Sequence, residues 1–340
     1  MKSVIIVGGG GYLGSKMASF FLDNNYQVTV LDRFYFGDIF KDNVNKNLKI
    51  IKNDIRFFDK AILKNIDVVI NLASISNDPA SELDPKLTKD VNYIGAVRLA
   101  KFSKEAGVKK YIFASSCSVY GHGEKILNEN SDLAPISEYA KSKINAEKEI
   151  LKLSGKNFCV TVLRLSTLYG LSEKRMRFDL IINIMTLHAW KNNKIFIMGG
   201  GKQWRPLMHL DDCINAFYLV IKENNLSKIN GQVFNVGSDS ENYQVFKVAL
   251  NFKKFFPNLI IEDTPDDPDK RSYHVSFKKI KKVLKFITKK NIDDGIIEIK
   301  KALEEGIIKN DLKTSTLKYY QYLMDAHKLI EEIKIDKNLF

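Results

Sequence analysis

The sequence has little cysteine and no long hydrophobic run. Its 340 residues include three cysteines (Cys117, Cys159 and Cys213), which are far apart and form no CxxC pair. This pattern argues against a disulfide framework or a zinc site and indicates a reducing compartment. The apolar start, MKSVIIV, is too short to span a membrane and runs directly into glycines. We therefore expect a buried first strand, neither signal peptide nor transmembrane helix, and a cytoplasmic location.

Acidic residues are fewer than basic ones, and the formal net charge is +13. Dispersed lysines on solvated faces explain much of this charge; a field that attracts anionic substrates or nucleic acid is the alternative. The basic cluster FKKIKKVLKF has apolar residues at helical spacing and predicts an amphipathic helix. The sequence has no zinc-finger, RNP or helix-turn-helix motif, and its histidines lack partners at metal-ligand spacing. We therefore expect no metal, nucleic-acid or membrane partner.

Short Val- and Ile-rich runs alternate with longer helical patterns along the first half of the chain. The runs that predict buried parallel strands are SVIIV, QVTVL, LKIIK, DVVIN, YIFA and VTVLR. Helical patterns cover residues 12–24, 85–105 and 138–153. This alternation predicts the α/β class, with a Rossmann doubly wound parallel sheet covered on both faces.

The alternation stops after Gly170. IFIMGGGKQW predicts a glycine-rich hairpin, a helix is expected after Asp211-Asp212, and VFNVG predicts a strand that rejoins the sheet. The second, smaller α/β domain is therefore expected to be discontinuous. The expected divisions are a dinucleotide-binding domain at 1–170 plus about 212–238, a substrate domain at 171–211 and 239–310, and a tail at 311–340 that is helical from about Thr314.

Four consecutive glycines follow the first predicted strand and open a helix. The run GGGGYLG fits both G-x-G-x-x-G and G-x-x-G-x-x-G. Glycine suits this turn because any side chain would block the pyrophosphate, which meets the amide groups and the positive end of the helix. The residues expected to contact the cofactor here are Gly8, Gly11, Tyr12, Leu13 and Gly14.

Asp32 ends the second predicted strand, at the place, about 20 residues beyond the glycines, where a ribose ligand is expected. A carboxylate there accepts both ribose hydroxyls and repels a 2′-phosphate, which favours NAD over NADP. Arg33 has two interpretations: it accommodates such a phosphate, or it stacks at the surface.

Two further strand ends are expected to touch the cofactor. Asp54 and Ile55 follow the third strand and resemble the pair that reaches the adenine in this fold, although Asp54 as an ordinary turn residue is the alternative. Leu72, Ala73 and Ser74 close the fourth strand, where the backbone would pass beside the cofactor.

Tyr139 and Lys143 form a YxxxK pair on one face of a predicted helix. A free tyrosine titrates near ~10, which is too high for a base at neutral pH. A nearby ammonium, with the positive nicotinamide ring, is expected to lower that pKa, so that Tyr139 takes a proton from a substrate hydroxyl. Ser116 follows the strand YIFA, and its hydroxyl would steady the charge on the reacting oxygen. Ser115 would lie nearer the cofactor.

Taken together, GGGGYLG, Asp32, SSCSVYG and YAKSK resemble the extended short-chain dehydrogenase/reductase family of nucleotide-sugar epimerases, dehydratases and dehydrogenases. LRLSTLYG, QWRPLMHLDD, VFNVGS and DPDKRSY extend the likeness to about Leu303. The resemblance implies bound NAD, a nucleotide-sugar substrate, and a catalytic set of Ser116, Tyr139 and Lys143. It also implies a homodimer formed through the helices containing Asn92 and Lys143, with Asn92 among the cofactor contacts.

The residues after Ser116 bear on which reaction follows. Family 4,6-dehydratases carry Asp-Glu there, to protonate the leaving group and deprotonate C5, whereas this chain has Cys117-Ser118. The resemblance therefore implies oxidation at C4, either as a complete 4-dehydrogenase reaction or as the first half of a 4-epimerase cycle. A 4-keto reductase, a 4,6-dehydratase and a non-catalytic dinucleotide sensor are weaker alternatives. SSCSVYG, MRFDLIIN and DKRSYHVSF are similar to enzymes oxidising C4 of a GDP-linked manno-heptose for bacterial capsule synthesis.

The candidate substrate contacts come from several segments. Arg205 and Arg271 match family arginines and would chelate the diphosphate, with structural salt bridges as the alternative. Three residues are expected at the nucleotide base, with a solvated helix start as the alternative: Arg175, Arg177 and Asn183. The remaining candidates are Ser116, Cys117, Ser118 and Thr167, of which Thr167 replaces a frequent family asparagine and Cys117 is alternatively a small buried thiol.

Overall fold

A computed structural model describes residues 2–265 and 269–335. Its strands are β1 (Ser3–Val7), β2 (Gln27–Asp32), β3 (Leu48–Lys52), β4 (Val68–Asn71), β5 (Lys110–Ser116), β6 (His122–Leu127), β7 (Cys159–Leu165), β8 (Thr167–Tyr169), β9 (Lys194–Met198), β10 (Trp204–His209), β11 (Gln232–Val236), β12 (Asn242–Gln244), β13 (Ile260–Thr264) and β14 (Ser272–Val275). Its α-helices are α1 (Tyr12–Asp23), α2 (Asp78–Ser81), α3 (Pro85–Lys89), α4 (Ala96–Glu105), α5 (Glu138–Leu151), α6 (Ile181–Asn192), α7 (Leu210–Lys222), α8 (Val245–Asn251), α9 (Lys278–Leu284), α10 (Ile292–Glu304) and α11 (Thr316–Ile333). A π-helical segment, Asp90–Gly95, joins α3 to α4.

The central sheet confirms the predicted Rossmann architecture. It has seven strands in the order β11-β7-β5-β4-β1-β2-β3, and every pairing within it is parallel. The strand order reverses between β1 and β4, and in such sheets the ligand crevice lies at the carboxyl ends of the strands at this switch point. The predicted strand VFNVG does rejoin the sheet, as β11 beside β7.

Alternating residues of the first strand build the core on both faces of this sheet. Val4 and Ile6 belong to one buried cluster, whereas Ile5 and Val7 belong to the other, because successive side chains of a strand point to opposite faces. This explains why the buried strands read as continuous apolar runs. A third buried cluster joins α6, β9, α8 and α10.

Three small sheets lie outside the central one. They have the orders β12-β10-β8, β13-β9 and β14-β6. Strand β10 pairs parallel with β8 and antiparallel with β12. The discontinuous domain division drawn from the sequence stays a prediction, since strand pairing alone does not test it.

The predicted hairpin in IFIMGGGKQW is wrong. Strand β9 pairs with β13, and β10 pairs with β8 and β12, so the two strands flanking the glycines do not pair with each other. The physical reason is the turn itself: Gly199, Gly200 and Gly201 all have positive φ and form a short 3₁₀ turn that redirects the chain. A Cβ on Gly201 would lie 2.6 Å from the Phe246 backbone nitrogen, so this turn packs closely against α8.

The other helix predictions differ from the structure at their ends, except that the predicted helix 85–105 is interrupted by the π-helical segment Asp90–Gly95. Helix α7 begins at Leu210, before the two aspartates, because the His209 side chain caps it by accepting from the Asp211 amide. The tail helix α11 begins at Thr316 rather than at about Thr314, and the basic cluster forms α9. Within residues 2–265 and 269–335, the helices are all too short or too polar to cross a membrane.

Candidate active site

A cleft of about 1160 Å³ lies at the carboxyl ends of the central strands. One wall is formed by the glycine turn and by the ends of β2, β4 and β5, and the opposite wall by residues of β8, β9, β10 and α6. Helix α11 contributes a further wall, a placement that its sequence did not predict. Most of the predicted cofactor and substrate residues line this one cleft.

The glycine turn is shaped for close approach of backbone and ligand. Gly8 has φ +88°, and a Cβ on it would lie 2.6 Å from the Ala73 nitrogen. A Cβ on Gly14 would collide with the Gly8 carbonyl oxygen, so neither position tolerates a side chain. Tyr12 and Leu13 continue from this turn into α1 and line the cleft.

Asp32 sits where the adenosine ribose is expected. Its carboxylate accepts from the Gly10 and Phe34 amides at 2.9 and 2.7 Å. Burial raises the pKa of Asp32, and these hydrogen bonds act in the opposite direction. The carboxylate therefore lies in a partly dehydrated position beside the glycine turn, with amide partners fixing its orientation.

Arg33 and Asp54 are paired with each other. Arg33 Nη1 lies 2.8 Å from Asp54 Oδ2, and Arg56 bonds the same carboxylate, also at 2.8 Å. The Arg33 guanidinium stacks 4.6 Å above the Tyr35 ring. This geometry favours stacking of Arg33 over binding of a 2′-phosphate, since its guanidinium is already paired with the Asp54 carboxylate. Ile55 lines the cleft beside the pair.

The end of β4 also borders the cleft, through Leu72, Ala73 and Ser74. Asn92 does not line it: the side chain is fully buried, accepts from the Ile75 amide at 2.8 Å and donates to the Ile75 carbonyl at 3.1 Å. Asn92 thus fixes the loop that follows β4 without facing the cofactor space. Sequence spacing could not distinguish these two roles.

Ser116, Tyr139 and Lys143 all line the cleft. Lys143 Nζ donates to the Ala114 carbonyl at 2.8 Å and lies 5.6 Å from the centre of the Tyr139 ring. Burial lowers the pKa of Lys143 to about 7, while the charge of Glu147 raises it. Burial raises the pKa of Tyr139, and a hydrogen bond with the Ser116 side chain lowers it. In the protein alone, the net shift of Tyr139 is therefore opposite to the one expected from the sequence, because burial dominates.

The first turn of the catalytic helix α5 is held by α2, a contact that the sequence did not reveal. The Ser81 hydroxyl accepts from the Tyr139 amide at 3.1 Å, and Glu82 accepts from the Glu138 amide at 2.8 Å. Ser137, the N-cap, donates to Asp78 Oδ1 at 2.5 Å. These partners satisfy amides that the start of a helix leaves free, and they fix Tyr139 in place.

A buried ion pair between Glu147 and Arg164 anchors α5 to strand β7 of the central sheet. Arg164 of β7 bonds Glu147 with Nη2 to Oε2 at 2.7 Å and Nε to Oε1 at 3.1 Å, and its Nη1 donates to the Tyr120 hydroxyl at 3.1 Å. Both charged side chains are almost fully buried, so removing either one would leave an uncompensated buried charge. The pair fixes the register of α5, one turn beyond Lys143.

The two arginines expected at the substrate diphosphate do meet. Arg205 Nη2 lies 2.8 Å from Asp269 Oδ2, and Arg271 bonds both Asp269 and Asp78. Burial opposes ionisation of Asp269, but the hydrogen bonds and charges of these arginines lower its pKa to about 2. Asp78 and Asp269 are functional candidates that sequence reasoning missed; the Asn-Asp-Pro start of α2 was the available signal for a cap near the site.

The three residues expected at the nucleotide base lie in different places. Arg177 lines the cleft, with its charge paired to Asp179 at 2.9 Å. Asn183 does not line it, but bonds the Tyr12 hydroxyl and the Gly170 amide inside the core. Arg175 also lines the cleft, with its guanidinium 3.6 Å from the centre of the Phe36 ring. The wall formed by the glycine turn and the ends of β2, β4 and β5 is called the cofactor wall below.

Thr167 and Ser118 line the cleft, but Cys117 does not. Cys117 is 1% exposed, and its thiol lies 3.4 Å from the Arg164 carbonyl oxygen. Burial raises its pKa, so the buried-thiol alternative describes this residue better than substrate contact. Within the described residues, the buried hydroxyls of Ser115 and Ser118 have no hydrogen-bond partner, which leaves them available to ligands.

These observations fit a bound dinucleotide. The cleft combines a turn that a Cβ would fill, a buried carboxylate at the second strand and an unpartnered Ser115 hydroxyl. The residues that would hold the cofactor are those of the glycine turn, Asp32 and the ends of β4 and β5. Fold and turn together define a dinucleotide-binding protein of the Rossmann class.

Residues 4–237 match the NAD dependent epimerase/dehydratase family. Because that match spans more than half of the chain, the protein belongs to this family, and NAD is its cofactor. The predicted family resemblance is thereby confirmed. The chain is 27% identical over 288 residues to a putative UDP-glucose 4-epimerase of Methanocaldococcus jannaschii, covering 81% of this chain and 90% of that one. It is 29% identical over 320 residues to UDP-glucose 4-epimerase of Lactobacillus helveticus, covering 86% and 94%.

Solved structures support the fold. A UDP-glucuronic acid 4-epimerase from Bacillus cereus, in complex with UDP-glucuronic acid and NAD, superposes with a TM-score of 0.79 at 24% identity and covers 89% of this chain and 99% of that one. MoeE5 in complex with UDP-glucuronic acid and NAD has a TM-score of 0.78 at 22% identity, with the same coverage. At such identities the similarity shows the shared fold and no more.

Proposed function

We propose that this protein is a nucleotide-sugar 4-epimerase that oxidises C4 of its substrate with tightly held NAD and then reduces the same carbon from the other face. The observation that carries the proposal is the Ser116–Tyr139–Lys143 set at the cofactor cleft of a chain in this family. Two relatives that align along most of the chain are named UDP-glucose 4-epimerase, one of them as putative. When bound, NAD accepts a hydride from C4 and can return it.

The chain's own residues would handle the proton of the C4 hydroxyl. Tyr139 Oη accepts it, and the Ser116 hydroxyl steadies the charge on the reacting oxygen. Tyr139 and Lys143 act as a coupled pair because Lys143 Nζ lies 5.6 Å from the centre of the Tyr139 ring. Burial raises the pKa of the phenol and lowers that of the ammonium. The form of the pair that has lost one proton supplies the base, and Lys143 can keep the remaining proton while Tyr139 is ionised.

The side chains after Ser116 argue against elimination of water. A 4,6-dehydratase needs an acid and a base at those positions, whereas Cys117 is buried away from the cleft and Ser118 offers only a hydroxyl. A relative from Dictyostelium discoideum that is 28% identical is named dTDP-D-glucose 4,6-dehydratase, so the family does include this chemistry. We infer that this chain does not share that reaction, because Cys117 and Ser118 supply neither the acid nor the base.

The arginines of the opposite wall would bind the diphosphate of the nucleotide sugar. Arg205 and Arg271 lie together in the cleft, each held by Asp269. Guanidinium groups chelate phosphate oxygens, and a diphosphate would compete with the carboxylates for the same donors. Binding would thus be an exchange of anionic partners.

A 4-dehydrogenase that releases the 4-keto sugar is the second candidate. It is favoured by the resemblance of SSCSVYG, MRFDLIIN and DKRSYHVSF to enzymes acting on GDP-linked manno-heptose in capsule synthesis. In that case NADH would have to be reoxidised before the next turnover. We also propose that the protein is cytoplasmic and forms a homodimer.

The test is mass spectrometry of UDP-, dTDP-, GDP- and CDP-sugars, including GDP-manno-heptose, after incubation with the purified enzyme and NAD. An unchanged mass with altered chromatographic retention supports the 4-epimerase. Loss of two hydrogens identifies the 4-dehydrogenase and its nucleotide together. Loss of water contradicts the interpretation of Cys117 and Ser118. If the enzyme alters none of these nucleotide sugars, both candidate functions are contradicted.

A further inference from the structure

The segment that begins at Gly170 is fastened to the phosphate-binding turn. The Tyr12 hydroxyl donates to the Gly170 carbonyl at 2.6 Å. The Ser172 hydroxyl donates to the Tyr12 carbonyl at 3.1 Å and lies 3.1 Å from the Ser15 hydroxyl. All of these groups are buried. The chain just beyond Ser172 is therefore held beside the start of α1, where the helix end favours an anion.

Arg175 follows in this segment and is 5% exposed. Its guanidinium lies over the Phe36 ring, Nη1 donates to the Met176 carbonyl, and Nη2 donates to the Thr316 hydroxyl at 3.2 Å. Nε has no hydrogen-bond partner among the described residues. Burial lowers the pKa of Arg175 to about 10, with the Arg177 charge adding to this effect, so the group stays protonated at neutral pH.

The two neighbouring arginines of this segment differ in how their charges are compensated. Arg177 forms an ion pair with Asp179, whereas Arg175 forms none within residues 2–265 and 269–335. A buried guanidinium that lacks a paired anion is costly. The charge of Arg175 acts to lower the pKa of Asp32, but the Asp32 oxygens already accept from the Gly10 and Phe34 amides. Arg175 thus lines the cleft without an ion-pair partner among the described residues, and its buried Nε has no hydrogen-bond partner there.

Helix α11 holds this guanidinium in place. Thr316, at the start of α11, accepts from Arg175 through its hydroxyl and donates its amide to Asp179 at 3.1 Å. Tyr319 and Tyr320 pack on Phe36 with ring centroids 5.3 and 5.6 Å away. The aromatic layer therefore backs the ring on which Arg175 stacks, and Arg175 cannot swing into solvent while α11 is docked.

We propose that Arg175 binds the pyrophosphate of NAD and that α11 is the support that keeps it there. The pyrophosphate is the anion that a dinucleotide places between the glycine turn and the ribose at Asp32. Arg175 lines the same cleft, and its charge acts on Asp32. Arginine matches phosphate oxygens in shape as well as charge. The diphosphate of the nucleotide sugar has its own arginines, Arg205 and Arg271, on the opposite wall.

The test is calorimetric titration of the full-length protein, stripped of nucleotide, with ADP, adenosine and UDP. Arg175→Met is expected to weaken ADP binding about 10- to 100-fold, the usual effect of losing a charge-assisted hydrogen bond, and to leave adenosine and UDP within about twofold. Lys174→Met is the matched control: it removes the same charge from the adjacent, exposed residue. The control is expected to leave all three affinities unchanged, which separates direct contact from a general electrostatic field.

Two further variants keep the result interpretable if Arg175→Met unfolds. Arg175→Lys keeps the charge without the planar fork and should weaken ADP by less than the methionine variant does. Thr316→Val removes the α11 hydroxyl from Arg175 and should weaken ADP about two- to tenfold. Adenosine and ADP weakened equally would reduce Arg175 to a packing role and overturn the proposal. Loss of UDP but not ADP binding would also overturn it, by assigning Arg175 to the substrate. Because no turnover is measured, either failure leaves the proposed sugar reaction untouched.

Discussion

The two walls of the cleft are built in different ways. The cofactor wall is mostly backbone: a glycine turn with no room for a Cβ and the ends of parallel strands. The opposite wall presents charged side chains from segments far apart in sequence, with Arg205 and Arg271 bonded to Asp269, and Arg271 also to Asp78. If the proposed diphosphate binds at the second wall, it must displace these carboxylates, whereas the backbone of the first wall needs no such exchange.

This difference explains what each wall can discriminate. A backbone turn recognises the pyrophosphate common to dinucleotides and fails when a side chain intrudes. In the proposed function, the paired arginines would respond to the charge and shape of the diphosphate that displaces their carboxylates. Asp78 joins the walls, since it bonds Arg271 on one side and Ser137, the cap of the catalytic helix, on the other.

The largest expected effect is at the point where the walls meet. Tyr139→Phe removes the hydroxyl that takes the substrate proton, so turnover should fall about 10²- to 10⁴-fold. NAD binding should stay close to that of the parent, because the cofactor wall is unchanged. Steady-state rates and calorimetric NAD affinity measure the two effects separately. Tyr322→Phe, on an exposed tyrosine of α11, is the control, and a fully active Tyr139→Phe would sink the mechanism.

Gly8→Ala is expected to break the cofactor wall. Its Cβ would meet the Ala73 backbone nitrogen at 2.6 Å, so bound NAD should be lost from the purified protein and the midpoint of thermal unfolding should fall. Gly107→Ala is a matched control, since Gly107 also has positive φ, +79°, but open space around it. That variant should cost only the backbone strain of about 1–2 kcal/mol. If both variants lose NAD equally, strain and not close approach explains the glycine.

The sequence predicted the cofactor wall much better than the opposite wall, called the substrate wall below because we propose that the nucleotide sugar binds there. Gly8, Asp32 and the Tyr139–Lys143 pair could be placed because short-range spacing fixes turns, strand ends and helix faces. Asp78 and Asp269 were missed, since their roles depend on segments that only tertiary packing brings together. Asn92 and Asn183 show a further limit of sequence spacing: both side chains make hydrogen bonds inside the core, and their predicted ligand contacts stay predictions. The hairpin prediction was wrong because three successive glycines can adopt many different turn conformations.

Arg205→Lys tests the substrate wall. Lysine keeps the charge but not the fork, so the KM for the nucleotide sugar should rise about tenfold with little change in kcat. NAD affinity should not change, because Arg205 lies opposite the cofactor. Arg98→Lys on the exposed face of α4 is the control. An equal loss of NAD affinity in Arg205→Lys would contradict the separation of the two walls.

The pH dependence of turnover should report the coupled Tyr139–Lys143 pair. Burial lowers the pKa of Lys143 to about 7, so the pair gives up its first proton near neutrality and the active form is lost as the pH falls. The value of kcat/KM should therefore rise with pH through about 7 and decline up to tenfold per unit below it. Lys141→Met, exposed on the same helix, should keep this limb. Persistence of the same limb in Lys143→Met would assign it to another group.

The smallest effect is expected at Cys117, which lies between two cleft residues in sequence but behind the wall in space. Serine can donate to the Arg164 carbonyl as the thiol does at 3.4 Å, so Cys117→Ser should leave kcat and KM within about twofold. Its cost should appear in stability, about 1 kcal/mol for a buried hydroxyl, as for Cys213→Ser in the fully buried part of α7. Urea unfolding and steady-state kinetics of both variants decide the matter. A tenfold change in KM for Cys117→Ser alone would return this residue to the substrate wall.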